Sequence, residues 1–421
     1  MSRSRIIKMI VSLVLVITMT FSLTSCLFDF QDYMDIIEGL VPDEDIGGGN
    51  GGGNGGGQNP TPDDDDENLS DNIGEFYPGS GVGSLDGVSN LTNTLLSTVI
   101  VVSNFILTPA AGAGVIYQID KESGDAYVIT NHHVIYSEQQ GICQDITLYL
   151  YGMELSSYAI KATFLGGSVN YDIAVLKVSG SEVLKNSFAR AAEIGDSEKV
   201  RVFDTVYAVG NPEGLGISAT RGMVSVESEN LELSGADGSV ITIRAIRVDA
   251  AVNGGNSGGG LYDSEGKLIG IVNAKRVGGD VENMGYAIPS NLAKSLADNI
   301  IAHCNGKTVT QVNRPILGIT ITAYVTGLVV DPESGEPVRK ELVEVTTVNA
   351  GSLAYGKIMV GDVVNSITLD GVTVEASHVY TIPELMLNAR VGSVAIMNIT
   401  RGETEMSISF TITEASITLE K

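Results

Sequence analysis

The sequence predicts an all-β barrel or sandwich followed by a small α+β module, behind an N-terminal targeting segment. Three observations support this. From about Val88 to Val312, short runs such as "STVIVVSNFIL", "GAGVIYQI" and "KLIGIVNA" recur, each bounded by Gly, Asp, Asn or Ser. Within that region only "PSNLAKSLADNIIAHC" (Pro289 to Cys304) carries helical periodicity, through Leu292, Leu296 and Ile300. From about Arg314 the strands alternate with one further helix candidate, "PELMLNAR" (Pro383 to Arg390), whose proline suits a first helical turn.

The first element, residues 1–26, reads as a signal segment. "MSRSRIIK" is basic, and "MIVSLVLVITMTFSL" is apolar but short for a bilayer span. It ends in "LTSC", which resembles the lipobox of bacterial lipoproteins; that resemblance implies lipidation at Cys26 and a membrane anchor. Residues 27–87 include "GGGNGGGQNPTPDDDDENLSDN", a low-complexity tract that cannot bury a core. As a flexible tether it would reach roughly 40 Å. Its "DDDDE" run reads as a solvated, self-repelling stretch rather than a metal site. The whole chain has 51 acidic against 25 basic residues, a formal net charge of −26. That balance argues against nucleic-acid binding, which needs a basic surface. Beyond Cys26 only Cys143 and Cys304 remain, and they are expected as separate thiols.

Three distant segments then carry related chemistry. "TNHHV" supplies His132 and His133, "NYDIAVLKV" supplies Asp172, and "GGNSGG" supplies Ser257. A serine hydroxyl needs a base to become nucleophilic, and an imidazole titrating near neutrality provides one. The imidazole needs a carboxylate to fix its tautomer and stabilise its cation. The order His, Asp, Ser is that of chymotrypsin-type enzymes. The glycines around Ser257 suit a loop that must aim backbone N–H groups at a developing oxyanion, here those of Gly255 and Ser257.

The segments "VITNHHVI", "YDIAVLKV", "AEIGDSEKVRVFDTVYAVGNP", "SATRGMVS", "RVDAAVNGGNSGGGL" and "MGYAIP" occur in the order seen in the HtrA/Deg family of trypsin-like serine proteases, which this chain resembles from about Ser97 onward. The resemblance implies an all-β double-barrel chymotrypsin-like protease domain over 88–312 and a small α+β PDZ domain over 313–421. It makes His133 the general base, Asp172 its partner and Ser257 the nucleophile, with Gly255 and Ser257 forming the oxyanion hole. His132 falls in the variable position of the T-N-x-H-V pattern and is expected as a partly exposed strand residue. The family usually reads N-P-G-N-S-G-G-P, whereas Gly254 and Gly260 replace both prolines here. Glycine enlarges the unfolded ensemble, so the loop is expected to misorder easily without substrate.

Six residues before Ser257, where basic-cleaving relatives carry aspartate, this chain has Ala251. With Asn253, Ile271, Asn273 and Gly285 it is expected to form a pocket for small or medium aliphatic side chains. In the tail, "RPILGI" resembles a PDZ carboxylate-binding loop, so Ile316, Leu317, Gly318 and Ile319 are the candidates for holding a peptide C-terminus. The combined reading is a lipid-anchored serine endopeptidase of the bacterial cell envelope, acting on unfolded proteins or their C-terminal segments. It calls for no metal or cofactor, and the resemblance implies a homotrimer. The alternative is a non-proteolytic peptide-binding chaperone or stress sensor.

Overall fold

The computed structural model describes residues 89–273, 284–304, 308–309, 311–330, 335 and 337–420. The signal segment, Cys26 and the whole of the region read as a tether lie outside the described residues. Among the described residues no helix is long and apolar enough to cross a membrane.

After a short helix α1 (Asn90–Leu96) come β1 (Thr98–Ser103), β2 (Ala110–Asp120), β3 (Asp125–Thr130), the two-residue strands β4 (Tyr136–Ser137) and β5 (Gly141–Ile142), β6 (Ile146–Leu150), β7 (Ile160–Ser168) and β8 (Ile173–Val178). Six of these close a barrel in the order β1-β2-β3-β8-β7-β6. A one-turn helix α2 (Glu182–Lys185) leads towards β9 (Thr205–Gly210), β10 (Ser218–Ser234), β11 (Val240–Val248), β12 (Gly260–Tyr262), β13 (Leu268–Asn273) and β14 (Gly285–Pro289). They close a second barrel in the order β10-β11-β14-β13-β12-β9. β1 is buried at every position and rich in Val and Ile, because one face looks into its barrel and the other is covered from outside. Each barrel has its own apolar cluster, and a third joins Ile100, Val115 and Ile129 of the first barrel to Tyr262 and Ile271 of the second.

Helix α3 (Ser290–His303) completes that shared core with Leu292, Leu296 and Ile300, the residues its periodicity singles out. Ser290 and Asn291 are the first two residues of the helix, after Pro289 at its N-cap. The Ser290 hydroxyl donates to Gly195 O, and Asn291 Nδ2 donates to Asp196 Oδ1, so both fasten the helix to a neighbouring loop.

The tail begins with β15 (Val312–Pro315) and continues through β16 (Ile319–Val330), β17 (Pro337–Val348), β18 (Val363–Leu369), β19 (Val372–Glu375), helix α4 (Thr381–Met386), β20 (Val394–Arg401), β21 (Thr404–Thr411) and β22 (Ile417–Glu420). The main sheet runs β16-β17-β18-β20-β21, with β19 on β18, while β15 and β22 pair separately. α4 starts two residues earlier and ends four earlier than the sequence suggests. Pro383 is its third residue, still within the first turn, where its missing N–H costs no helical bond.

The tail is fastened to the second barrel at Arg244. Its guanidinium donates through Nε and Nη2 to both Glu384 carboxylate oxygens, each at 2.7 Å, and through Nη2 to Glu198 Oε1, also at 2.7 Å. It also lies 3.9 Å from the Tyr380 ring centroid. Burial raises the Glu384 carboxyl to about 7, although the Arg244 charge opposes the rise. Asn299 Nδ2 donates to Leu387 O, and Asn388 Nδ2 to Ser295 Oγ. His378 is half-buried, stacked on Tyr380 and 3.3 Å from Glu341 Oε2.

Candidate active site

His133 sits in a 3-10 turn, His132–Val134, just after β3, and Asp172 closes the turn between β7 and β8. Pairing of β3 with β8 brings the two together, because Thr130 lies opposite Ala174. His133 Nδ1 lies 2.7 Å from Asp172 Oδ2, and the His133 N–H donates to Asp172 Oδ1 at 3.0 Å. Asn273 Nδ2 donates to Oδ2 at 2.9 Å. The carboxylate is 1% exposed, so these donors replace water around a buried charge. Asp172 has a φ of 50°, a left-handed conformation that Asp tolerates better than most residues. Its carbonyl is fixed by Asn131 Nδ2 at 2.9 Å and by the His132 N–H at 3.2 Å.

The backbone of the Ser257 loop bridges the two barrels. Ser257 O accepts from Ala113 N–H of β2 at 2.8 Å, and Gly258 N–H donates to Val272 O of β13 at 2.9 Å. Gly258 has a φ of 85°, and a Cβ there would fall 2.2 Å from both Ala113 O and Thr130 Oγ1. Only glycine lets the loop lie against the strand that leads to His133. Gly255 has a φ of 89°, and a Cβ there would stand 2.0 Å from Asn211 O. The Gly254 carbonyl accepts from Glu213 N–H at 2.8 Å. In a planar trans peptide the Gly255 N–H then points the opposite way, out of the Asn211–Gly214 turn. These bonds fasten the loop at Gly254, Ser257 and Gly258.

His132 is buried rather than partly exposed, and it lies in the 3-10 turn rather than a strand. Its ring is 5.3 Å from that of Tyr136 and edge-on to Phe164 at 6.3 Å. Among the expected pocket residues, Ala251 and Asn253 are exposed, and Gly285 packs against Val252, where a Cβ would meet Cγ2 at 2.7 Å. Ile271 is instead fully buried in the core between the barrels, and Asn273 turns its amide to Asp172. Both are removed from the pocket wall because residues two apart on β13 share the face that looks into the molecule. Asn273 is thus a partner of Asp172 that sequence reasoning placed elsewhere. The strand position was visible in the sequence, but nothing in it indicated the amide's direction.

In the tail, Gly318 has a φ of 82°, and Leu317 is buried. Ile316 cannot offer its N–H to a peptide, because it already donates to Ser416 O at 2.8 Å. Leu317 and Gly318 lead into β16, which begins at Ile319 and is an edge strand of its sheet. Cys143 and Cys304 are separate free thiols, and burial pushes the Cys143 thiol up. Among the described residues no group of three His, Cys, Asp or Glu could hold a metal ion.

Residues 112–271 match the family model for a trypsin-like peptidase domain. The chain is 35% identical over 213 residues to Serine protease Do-like HtrA of Bacillus subtilis (strain 168), covering 50% of this chain and 42% of that protein. It is 37% identical over 211 residues to Periplasmic pH-dependent serine endoprotease DegQ of Escherichia coli (strain K12), covering 49% of this chain and 40% of the relative. These matches span less than half of either relative's own length. Among solved structures, HtrA-type protease AlgW with tripeptide is similar at a TM-score of 0.51 and 26% identity, over 79% of this chain and 96% of that one.

Proposed function

Because the chain carries a trypsin-like peptidase domain homologous to the HtrA-type serine proteases, we propose that it is a serine endopeptidase that cuts unfolded proteins through an acyl-enzyme. The observation that carries this reading is the buried Asp172 carboxylate fastened to His133, beside a Ser257 loop whose glycines bring it against the His133 strand.

His133 would take the Ser257 proton as that hydroxyl attacks the scissile carbonyl, and Asp172 would stabilise the resulting imidazolium. The N–H groups of Gly255 and Ser257 would receive the oxyanion, each such donor contributing about 3 kcal/mol. His133 would then return the proton to the leaving amine, and water would release the acyl group by the reverse route. An exposed Ala251 at the pocket position favours cleavage after small or medium aliphatic residues.

The finer parts of the proposal concern the rest of the chain. Residues 88–312 would form the protease unit and 313–421 a PDZ domain, supported by the open edge of β16 beside Leu317, Gly318 and Ile319. A peptide C-terminus would add to that edge as a further strand. Lipidation at Cys26 would hold the protein in the cell envelope, in keeping with the periplasmic name of the DegQ relative. Assembly as a homotrimer is part of the same family reading.

The test is digestion of casein by the full chain and by Ser257→Ala, with sequencing of the products. The reading requires cleavage by the wild type alone, with aliphatic residues before the cut sites. Binding of casein without cleavage by either form would replace it with the chaperone alternative. Equal digestion by both would remove Ser257 from the chemistry.

A further inference from the structure

The turn that carries Asp172 is gripped by a residue some 250 positions away in sequence. Residues 169–172 join β7 to β8, and the turn closes by donation from Asp172 N–H to Val169 O at 3.2 Å. Its two central residues both turn to Glu420, the last residue of β22. Asn170 Nδ2 donates to Oε1 and the Tyr171 hydroxyl to Oε2, each at 3.4 Å. Arg314 of β15 fixes the carboxylate through Nη1 to Oε2 at 2.7 Å, and β15 pairs with β22 so that Val312 lies opposite Glu420.

We propose that Glu420 is a positioning residue for the catalytic acid, so that turnover depends on the seating of β22 against the Asn170–Tyr171 turn. The inference rests on the protease reading of His133, Asp172 and Ser257. Asp172 adopts a left-handed backbone conformation that persists only where its surroundings over-determine it. The carbonyl and carboxylate of Asp172 are held from the barrels, but the two residues before it are held by the tail. The Tyr171 ring is half-buried against the core, and its hydroxyl takes Glu420 as partner. Desolvation, with the nearby Glu420 charge adding to it, pushes its ionisation well above the ordinary range and keeps it a donor. Loosening this grip lets the turn relax, and the His133–Asp172 contact of 2.7 Å relaxes with it. Glu420 touches neither substrate nor His133; it acts through Tyr171 and Asn170.

The experiment compares the full chain with Glu420→Gln, Tyr171→Phe and the double variant on an internally quenched aliphatic peptide, with Ser257→Ala as the baseline. Tyr171→Phe keeps the ring and removes only the hydroxyl, so it serves even if the Glu420 variant folds poorly. Each single change is expected to lower kcat about tenfold at unchanged KM, inside the ~10²-fold that a 1 Å misplacement can cost. The double variant should be no slower than the worse single one, since the Tyr171 contact is part of what Glu420 supplies. The acid limb of the kcat/KM profile should also move to lower pH, because a less well-placed carboxylate stabilises the imidazolium less. A purely structural role would lower the thermal midpoint and leave that limb in place. The proposal is overturned by a kcat within about twofold of wild type in Tyr171→Phe, by losses that multiply in the double variant, or by an unmoved acid limb. A wild type no faster than Ser257→Ala would instead remove the protease reading beneath it.

Discussion

Asn273 illustrates how much of the site depends on a single amide. Its Nδ2 is one of the donors on a carboxylate that is almost wholly sealed from water. Removing a charge-assisted bond of this kind costs about 1.5–3 kcal/mol. In Asn273→Ala that loss should appear as reduced kcat together with a lower urea midpoint. The relative rates on peptides differing only before the cut should stay as in wild type, because the side chain does not face the pocket. A changed preference among those peptides would return Asn273 to the pocket wall. The pairing of His133 with Asp172 was legible, because each sits in a motif whose residue types suit a base and its carboxylate partner. Asn273 and His132 were misplaced because a strand or turn position says which residues share a face. It does not say which face meets the cleft, nor that Tyr136 and Phe164 would enclose His132.

At the scale of elements, the loop around Ser257 separates two kinds of glycine. A Cβ at Gly258 would collide with Ala113 O and Thr130 Oγ1, whereas one at Gly254 meets nothing within 4 Å. Gly258→Ala should therefore push the loop off the first barrel, destabilise the fold by about 1–3 kcal/mol and abolish most peptide hydrolysis. Gly254→Ala should keep activity and gain about 0.4–1 kcal/mol by narrowing the unfolded ensemble. Urea unfolding and hydrolysis rates of the two variants check both expectations; equal damage from each would mean that the loop is not shaped by these contacts. The sequence displayed the glycine cluster but not this division, which depends on strands distant in the chain. The strands themselves were legible from β-branched runs and turn residues. The helix α4 was legible in kind but not in extent, because proline is tolerated anywhere in a first turn.

On the scale of the whole molecule, the Arg244–Glu384 junction makes the attachment of the tail sensitive to pH. The folded chain holds the Glu384 proton up to about 7, whereas an unfolded glutamate releases it near 4.5. Between those values the folded state binds more protons than the unfolded one, so stability from this group falls as pH rises. It is fully present below about 4.5 and is lost through about 7. Glu384→Gln cannot titrate there, so the thermal midpoint of wild type should lose ground relative to that variant from pH 4.5 to 8. A gap that stays constant or moves the other way would contradict the raised carboxyl. No sequence pattern signalled this junction, since Arg244, Glu198 and Glu384 come from three segments that only the assembled fold places together.

The pairing of β15 with β22 means that the tail module leaves and rejoins the barrels at one place. Such a module is mechanically a loop with its ends pinned side by side. Beyond the Arg244–Glu384 and Asn299–Leu387 contacts, tension applied to its far end is borne by four ladder positions, Val312 to Pro315 against Ile417 to Glu420, taken one after another like teeth of a zip. The tooth on the barrel side is Glu420, so the residue that holds the Asn170–Tyr171 turn is the last of the four to part.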